Sequence, residues 1–218
     1  MKLSVSILSI KDDLQKNIKK IDKCEIDYLH IDVMDGKFVS NKTWDISEVK
    51  EFTNNLNHKL DVHLMVNDVN KYIDDFKIIK PEYITFHCEI DDDINHLIDK
   101  IHSLNIKVGL AINPNTDISR IEPFLSKLDL VLVMSVYPGK GGQSFIKEVT
   151  KKVDILNQLQ PKYNYVIEMD GGINDTTIKY CNSDIVVVGS FITRGIYDIQ
   201  IDKLKSRLYD MNPVSWTK

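Results

Sequence analysis

The sequence is poor in the residues that mark several classes of protein. Its 218 residues include only 3 cysteines, Cys24, Cys88 and Cys181, which lie far apart and form no C-x-x-C pair. This spacing indicates neither a disulfide framework nor a cysteine-based zinc site. Basic residues are not in excess, since 28 Lys and Arg stand against 32 Asp and Glu, for a net charge of -4. We therefore do not expect a nucleic acid as partner, because no basic surplus is available to neutralise its phosphates.

Long apolar runs and secretion signals are also missing. No stretch approaches the roughly 20 apolar residues that cross a bilayer. Residues 1–8 lack a basic segment followed by a long apolar run. We therefore expect no membrane association and a reducing, cytoplasmic location. No linker or low-complexity segment interrupts the chain, and we expect one domain over residues 1–218.

Apolar, β-branched runs alternate with amphipathic segments along the whole chain, a pattern typical of alternating strands and helices. The runs are Leu3–Leu8, Ile26–Val33, Leu60–Met65, Tyr83–His87, Lys107–Ile112, Leu130–Ser135, Tyr165–Met169 and Ile185–Gly189. The helices expected between them include Ser119–Leu128 and Asp175–Cys181. Eight such units predict an α/β protein with a parallel sheet, and at this length a closed (β/α)8 TIM barrel. A doubly wound open sheet is the alternative, but the G-x-G-x-x-G turn typical of it does not follow the first run.

The second run ends in ionisable side chains. His30 and Asp32 are two residues apart, so they point to the same side of a strand. Burying this pair costs free energy unless something binds it. A divalent metal ion binds imidazole and carboxylate groups together. A buried histidine beside a surface aspartate is the simpler alternative, and these two residues alone do not decide between the two.

Other strand ends supply further ligands. The active site of a TIM barrel lies at the C-terminal ends of its strands, where His63 and Asp170 stand in the third and seventh runs. With the first pair they make two imidazoles and two carboxylates, a set that suits zinc, iron(II), manganese or cobalt better than magnesium or calcium. Taken singly, His63 is equally well explained as a core histidine, and Asp170 as a turn residue. His87 and Glu168 face the same interior and are expected either to orient ligands or to be structural.

Glycine is scarce, yet it concentrates in three neighbouring loops. Six of the 9 glycines follow the sixth, seventh and eighth runs. Glycine lets backbone N–H groups approach an anion closely, and barrels of this type often bind phosphate with the loops after strands seven and eight. We therefore expect a phosphate-bearing ligand there, although tight turns alone would also explain these glycines.

The two aspartates suggest a reaction. Strands two and seven are three steps apart around an eight-strand ring, so Asp32 and Asp170 approach the centre from nearly opposite sides. Carboxylates so placed suit removal of a proton from one face of a carbon and delivery of another to the opposite face. The carbon must lie beside a carbonyl, which a metal ion would polarise while an enediolate forms. The pattern thus predicts epimerisation at an acidic carbon.

Several segments resemble the ribulose-phosphate 3-epimerase family. They are Ser6–Ser9, His30–Gly36, Asp61–Val66, Val108–Ala111, Pro138–Gln143 and Asp170–Ile173, in the right order and spacing. The H-x-D-x-M-D-G and P-G-x-G-G-Q segments together are highly specific. The resemblance implies a metal-dependent (β/α)8 isomerase that interconverts D-ribulose 5-phosphate and D-xylulose 5-phosphate in the pentose phosphate pathway. It also implies a homo-oligomer.

The resemblance implies roles for individual residues as well. The ligands of one divalent metal ion would be His30, Asp32, His63 and Asp170, and the two aspartates would also form the acid–base pair. Contacts with the sugar phosphate would come from Ser6, His63, Gly139, Lys140, Gly141, Gly142, Gly171, Gly172, Gly189 and Ser190. Lys140 departs from the family, which typically has an aromatic residue there. This difference affects substrate fit more than reaction type.

Three alternatives stay open at this point. A sibling epimerase would act on a six-carbon ketose phosphate such as allulose 6-phosphate. A sugar-phosphate decarboxylase on a similar barrel would be expected to carry a lysine at a strand end, and strands two, three and seven have none there. A non-catalytic phosphate binder would need no opposed carboxylates.

Overall fold

The computed structural model describes residues 1–211 of the chain. Eight parallel strands form a closed barrel in sequence order, and the last strand pairs with the first. They are β1 (Lys2–Ser6), β2 (Tyr28–Met34), β3 (Lys59–Met65), β4 (Tyr83–His87), β5 (Lys107–Ile112), β6 (Leu130–Met134), β7 (Val166–Asp170) and β8 (Ile185–Val188). The predicted (β/α)8 TIM barrel is confirmed. The prediction of one domain over residues 1–218 extends beyond the described residues and stays a prediction.

Helices cover the outside of the barrel. They are α1 (Leu14–Ile21), α2 (Ile46–Phe52), α3 (Val69–Phe76), α4 (Ile94–Ser103), α5 (Thr150–Tyr163), α6 (Ser190–Thr193) and α7 (Tyr197–Met211). In α4, the side chain of Asp93 accepts a hydrogen bond from the His96 N–H and caps the first turn. The residues that α4 buries repeat at helical spacing, which turns one face toward the sheet; they are Ile94, Leu97, Ile98 and Ile101.

The connection after β5 differs from the expected α-helix. Residues Ser119–Leu128 were predicted as one helix, but the chain forms two 3-10 turns, Ile118–Arg120 and Glu122–Lys127. Pro123 has no N–H to donate, and its ring disfavours the α conformation at the residue before it. The helix prediction is therefore wrong here, and Pro123 lies in the first turn of the second of these short segments.

The connection after β7 also lacks the expected helix. Of Asp175–Cys181, only Ile178–Tyr180 forms a 3-10 turn. The Thr177 hydroxyl donates to the Gly172 carbonyl at 3.0 Å, and such local side-chain bonds compete with a helix. This helix prediction is wrong as well, and the tight connection keeps the chain close to the end of β7.

Two kinds of core lie on the two sides of the sheet. Between sheet and helices the packing is apolar. Inside the barrel, β6 contributes Leu130 and Leu132 to a separate apolar cluster. Other strands bring buried polar groups into the chain's interior, namely Ser4, Ser6, His30, Asp32, Asp61, His63, Thr85, His87 and Glu168. Burying so many polar groups is costly unless they bind one another or a ligand, so this part of the interior is the place to look for a site.

Two further points of the sequence analysis concern the cysteines and membrane-spanning helices. The three cysteines are free and buried. Within residues 1–211, no helix combines the length and the apolar character needed to cross a membrane.

Candidate active site

A cleft opens where the strands end, with Asp32 and Asp170 in its lining. Of the residues predicted to contact the substrate, the cleft is lined by Ser6, Gly139, Lys140, Gly141, Gly142, Gly171, Gly172, Gly189 and Ser190. His63, which was also predicted as a substrate contact, is fully buried and does not line the cleft.

Asp32 is held from two directions. Its Oδ2 accepts a hydrogen bond from the Ser6 hydroxyl at 2.7 Å, and its backbone carbonyl accepts one from the Thr43 hydroxyl at 2.8 Å. The other carboxylate oxygen, Oδ1, lies 3.5 Å from His30 Nε2 and 3.4 Å from His63 Nδ1. Burial by itself would raise the pKa of Asp32, but the two imidazoles lower it below its usual range. Asp32 is therefore ionised at neutral pH.

The four predicted metal ligands converge. One atom from each of His30, Asp32, His63 and Asp170 lies within 4.8 Å of the other three. His30 Nε2 and His63 Nδ1 are buried and find no hydrogen-bond partner among the described residues. Unpaired buried nitrogens are costly, and a divalent cation between the imidazoles would satisfy both. The donor set therefore fits a metal ion, and it suits borderline ions such as zinc or iron(II).

Asp61 supports His30 from behind. Its Oδ2 lies 2.7 Å from His30 Nδ1 and accepts a hydrogen bond from the Ser4 hydroxyl at 2.9 Å. Sequence reasoning assigned Asp61 no role, although a signal was there. Asp61 stands two residues before His63, so it faces the same side of β3, and it is the register partner of His30 across β2 and β3.

Glu168 belongs to a second cluster of ionisable side chains, which shares His30 with the predicted metal ligands. His30, Asp61 and Glu168 also offer atoms within 4.8 Å of one another. Burial, followed by the charge of Asp61, raises the pKa of Glu168 well above its ordinary value. Both oxygens of Glu168 are buried and find no hydrogen-bond partner among the described residues. His30 Nδ1 is already bonded to Asp61, so His30 offers its other nitrogen, Nε2, to the first cluster.

Asp170 differs from Asp32 in its proton affinity. Burial, together with the negative charge of Asp32, raises the pKa of Asp170 to about 7. Two carboxyl groups whose pKa values are pushed apart can serve as an acid and a base in one site. The Ser135 hydroxyl holds the end of β7, since its Oγ lies 2.9 and 2.6 Å from the backbone carbonyl oxygens of Asp170 and Gly171 and donates its one hydrogen between them.

His63 is supported by another histidine. His63 Nε2 lies 2.8 Å from His87 Nε2, and His87 Nδ1 lies 3.1 Å from Glu89 Oε2. Burial, with the neighbouring imidazoles, lowers the pKa of His63 to about 4. His63 is therefore neutral at neutral pH, and a nitrogen is free to bind a cation. His87, for which either an orienting or a structural role was expected, touches a predicted ligand directly.

The glycine loops pack against each other at the rim. Gly171 has φ +119°, and a Cβ there would lie 2.4 Å from a Val136 methyl group. Gly172 has φ +64°, and its Cβ would lie 2.5 Å from the Phe145 nitrogen. Only glycine fits these positions without a backbone shift. The loops thus bring bare backbone to the cleft, where N–H groups can approach an anion.

Comparisons with known proteins agree with this geometry. The model of the ribulose-phosphate 3 epimerase family matches residues 2–193. A Schizosaccharomyces pombe protein named ribulose-phosphate 3-epimerase is 36% identical over 186 residues, which cover 83% of this chain and 81% of that protein. A protein of the same name from Aquifex aeolicus is 38% identical over 187 residues, which cover 83% of this chain and 84% of its own.

A solved structure shares the fold at much lower identity. The 3-hexulose-6-phosphate synthase of Salmonella typhimurium superposes with a TM-score of 0.65 at 16% identity, covering 96% of this chain and 99% of that one. This likeness supports the barrel alone. The family match and the close relatives, by contrast, extend over most of the sequence. The chain belongs to the ribulose-phosphate 3-epimerase family.

Proposed function

We propose that this protein inverts C3 of a ketose phosphate, interconverting D-ribulose 5-phosphate and D-xylulose 5-phosphate, with Asp32 and Asp170 as the acid–base pair. One observation carries the assignment of roles. The two carboxyl groups line one cleft and meet within one donor cluster. One of them, as a carboxylate, accepts the C3 proton on one face of the sugar, while the other, in its protonated form, supplies a proton on the other face.

The neighbouring side chains prepare this exchange. The Ser6 hydroxyl holds one oxygen of Asp32 at 2.7 Å, which leaves the other oxygen for the cation site. Met34, Met65 and Met134 line the same cleft, and their apolar side chains exclude water from the reacting face. Exclusion of water strengthens the electrostatic interactions of the carboxylates with the substrate.

The metal site would be formed by His30, Asp32, His63 and Asp170. When bound there, a divalent ion such as zinc, iron(II), manganese or cobalt would supply a positive charge that polarises the carbonyl beside C3 and makes its proton more acidic. The histidines serve this site through the two unpaired nitrogens, Nε2 of His30 and Nδ1 of His63.

The phosphate would bind in the glycine loops. The lining of the cleft includes Gly139, Gly141, Gly142, Gly171, Gly172, Gly189 and Ser190. Lys140 is the single cationic side chain among the residues that line the cleft, and its charge would favour a phosphate dianion over a neutral sugar. A homo-oligomer and a cytoplasmic location remain predictions that follow from the sequence; light scattering on the purified protein tests the first of them.

The test is the separate replacement of Asp32 and Asp170 by Asn. Loss of a general acid or base typically costs about 10²- to 10⁴-fold in rate, so we expect a fall of that size in kcat for each variant, with the far-UV circular dichroism unchanged. Asp154→Asn, on the exposed side of α5, is the matched control and should retain wild-type turnover. The readouts are a coupled epimerase assay and deuterium incorporation at C3 in D2O.

The same assay separates the alternatives. Near-normal turnover in both aspartate variants would overturn the acid–base assignment. A wild-type protein that binds the sugar phosphate but introduces no deuterium would be a binder, not an enzyme. Faster turnover of D-allulose 6-phosphate than of D-ribulose 5-phosphate would move the substrate from the pentose to the hexose.

A further inference from the structure

A chain of polar contacts leads from His63 to the outer rim of the barrel. His63 Nε2 meets His87 Nε2 at 2.8 Å, and His87 Nδ1 meets Glu89 Oε2 at 3.1 Å. Both imidazoles are fully buried, whereas the Glu89 side chain is 21% exposed. These three residues, named here the rim relay, thus connect the interior of the barrel with a partly solvated carboxylate.

The direction of the hydrogen bonds along the rim relay decides which nitrogen of His63 is free. In its neutral form each of the two imidazoles carries one N–H, so it donates from one nitrogen and accepts at the other. If Glu89 accepts from His87 Nδ1, then His87 Nε2 accepts from His63 Nε2, and His63 Nδ1 is left bare. If Glu89 instead donated, every bond would reverse, and His63 Nδ1 would carry a hydrogen toward Asp32. Only the first arrangement can bind a cation.

The surroundings of Glu89 make it an acceptor. Its other oxygen, Oε1, accepts a hydrogen bond from the Asn113 N–H at 2.8 Å and another from the Thr116 hydroxyl. Donors on both sides of a carboxyl group favour its ionised form. In agreement, the pKa of Glu89 is lowered to about 2, since the bonds from His87 and from these donors outweigh its burial.

The loop that supplies these donors is itself fixed. The Lys152 ammonium, from α5, donates to the backbone carbonyls of Asn113, Pro114 and Thr116 at 2.9, 2.8 and 2.5 Å. On the other side of the relay, the Phe38 ring lies against His87, with ring centroids 4.9 Å apart. The rim relay is therefore fixed at its Glu89 end and covered at His87, which limits the number of arrangements it can adopt.

We propose that Glu89 is a positioning residue for the metal site, which acts through His87 to hold His63 in the tautomer that leaves Nδ1 bare. The proposal rests on the metal site of the proposed function but not on epimerisation. Hydrogen bonds from outer groups that fix a ligating histidine typically change metal affinity by about 10- to 100-fold. Glu89 therefore contributes to metal affinity without touching either the metal or the substrate.

The experiment uses Glu89→Gln in the full-length protein. The amide keeps the shape of the carboxyl group but can donate to His87 Nδ1, which permits the reversed arrangement. Two properties are measured: the Kd for Co²⁺ alone, from its visible absorption, and the tautomer of His63 in the metal-free protein, from its imidazole ¹⁵N shifts. We expect the Kd to rise by about 10- to 100-fold and the His63 hydrogen to move from Nε2 toward Nδ1.

The matched control is Glu82→Gln. Glu82 precedes β4 as Glu89 follows it, and it pairs with Lys59 and Lys107 at the opposite end of the barrel. This variant should leave both readouts at their wild-type values. A wild-type Co²⁺ affinity in Glu89→Gln, or a weaker affinity with an unchanged His63 tautomer, would overturn the proposal.

A second variant keeps the test decisive if Glu89→Gln does not fold. Thr116→Val leaves Glu89 in place and removes one of its donors, so both readouts should shift in the same direction by a smaller amount. Unchanged readouts there would also overturn the proposal. A failure of epimerisation would show separately, as a wild-type protein that binds Co²⁺ but does not exchange the C3 hydrogen.

Discussion

The two histidines of the donor cluster are supported in opposite ways. His30 rests directly on Asp61, which is 1% exposed and bonded at 2.7 Å. His63 rests on another imidazole, His87, and reaches a carboxylate only at Glu89, at the rim. The support of His30 thus lies wholly inside the barrel, whereas that of His63 runs outward into the loops.

This difference sets the protonation state of each histidine. Burial lowers the pKa of His30, but Asp61 and Asp32 more than offset it and raise the pKa well above its ordinary value. The pKa of His63 falls to about 4. Without metal, His30 therefore holds a proton that a cation must displace, while His63 is ready to bind. Asp61, the inner support, stabilises the charged form of His30. His87 and Glu89, the outer support, select the tautomer of His63.

Removal of the inner support is expected to have the largest effect. Asp61→Leu leaves His30 buried without its partner, and breaking a buried ion pair in this way costs about 3–5 kcal/mol. We expect a loss of that size in the free energy of unfolding, measured with urea in the presence of a chelator. Co²⁺ affinity should fall as well. A stability loss below about 1 kcal/mol, typical of an exposed pair, would show that the Asp61–His30 contact is unimportant.

Removal of the outer support should cost less. His87→Phe leaves the His63 N–H without an acceptor, and one unsatisfied buried donor costs about 1–3 kcal/mol. The urea measurement on this variant, beside Asp61→Leu, compares the two supports directly. Equal losses in the two variants would contradict the distinction between a carboxylate support and an imidazole support.

The effect of pH on metal affinity sharpens the comparison further. Above the pKa of Asp170, which is about 7, only the His30 proton must leave, so the Kd for Co²⁺ should change by about tenfold per pH unit. Below that pKa, Asp170 binds a proton too, and the change should approach about 100-fold per unit. Affinity falls as pH falls in both ranges. A Kd independent of pH above neutrality would show that His30 is already neutral.

Sequence reasoning succeeded where a single physical rule decides the outcome. Alternating apolar runs predicted the eight strands, and the rule that parallel strands end at one rim predicted that His30, Asp32, His63 and Asp170 would meet. It failed for the connections after β5 and β7, where Pro123 and the Thr177 hydroxyl favour 3-10 turns over helices.

The supports themselves depend on contacts across strands. The inward face of Asp61 follows from its spacing to His63, but its pairing with His30 depends on the register of β2 against β3. The role of Glu89 depends on a loop that follows another strand and on Lys152 of α5. Neither register nor loop packing is encoded in local periodicity, which is why these residues were not assigned.

The most direct test of the account is the position of the metal in a crystal of the active enzyme, located by its anomalous scattering. The account predicts one ion within about 2.0–2.2 Å of His30 Nε2, His63 Nδ1 and one oxygen each of Asp32 and Asp170. An ion between His30 Nδ1, Asp61 and Glu168 instead, or fully active crystals without any ion at the four ligands, would contradict it.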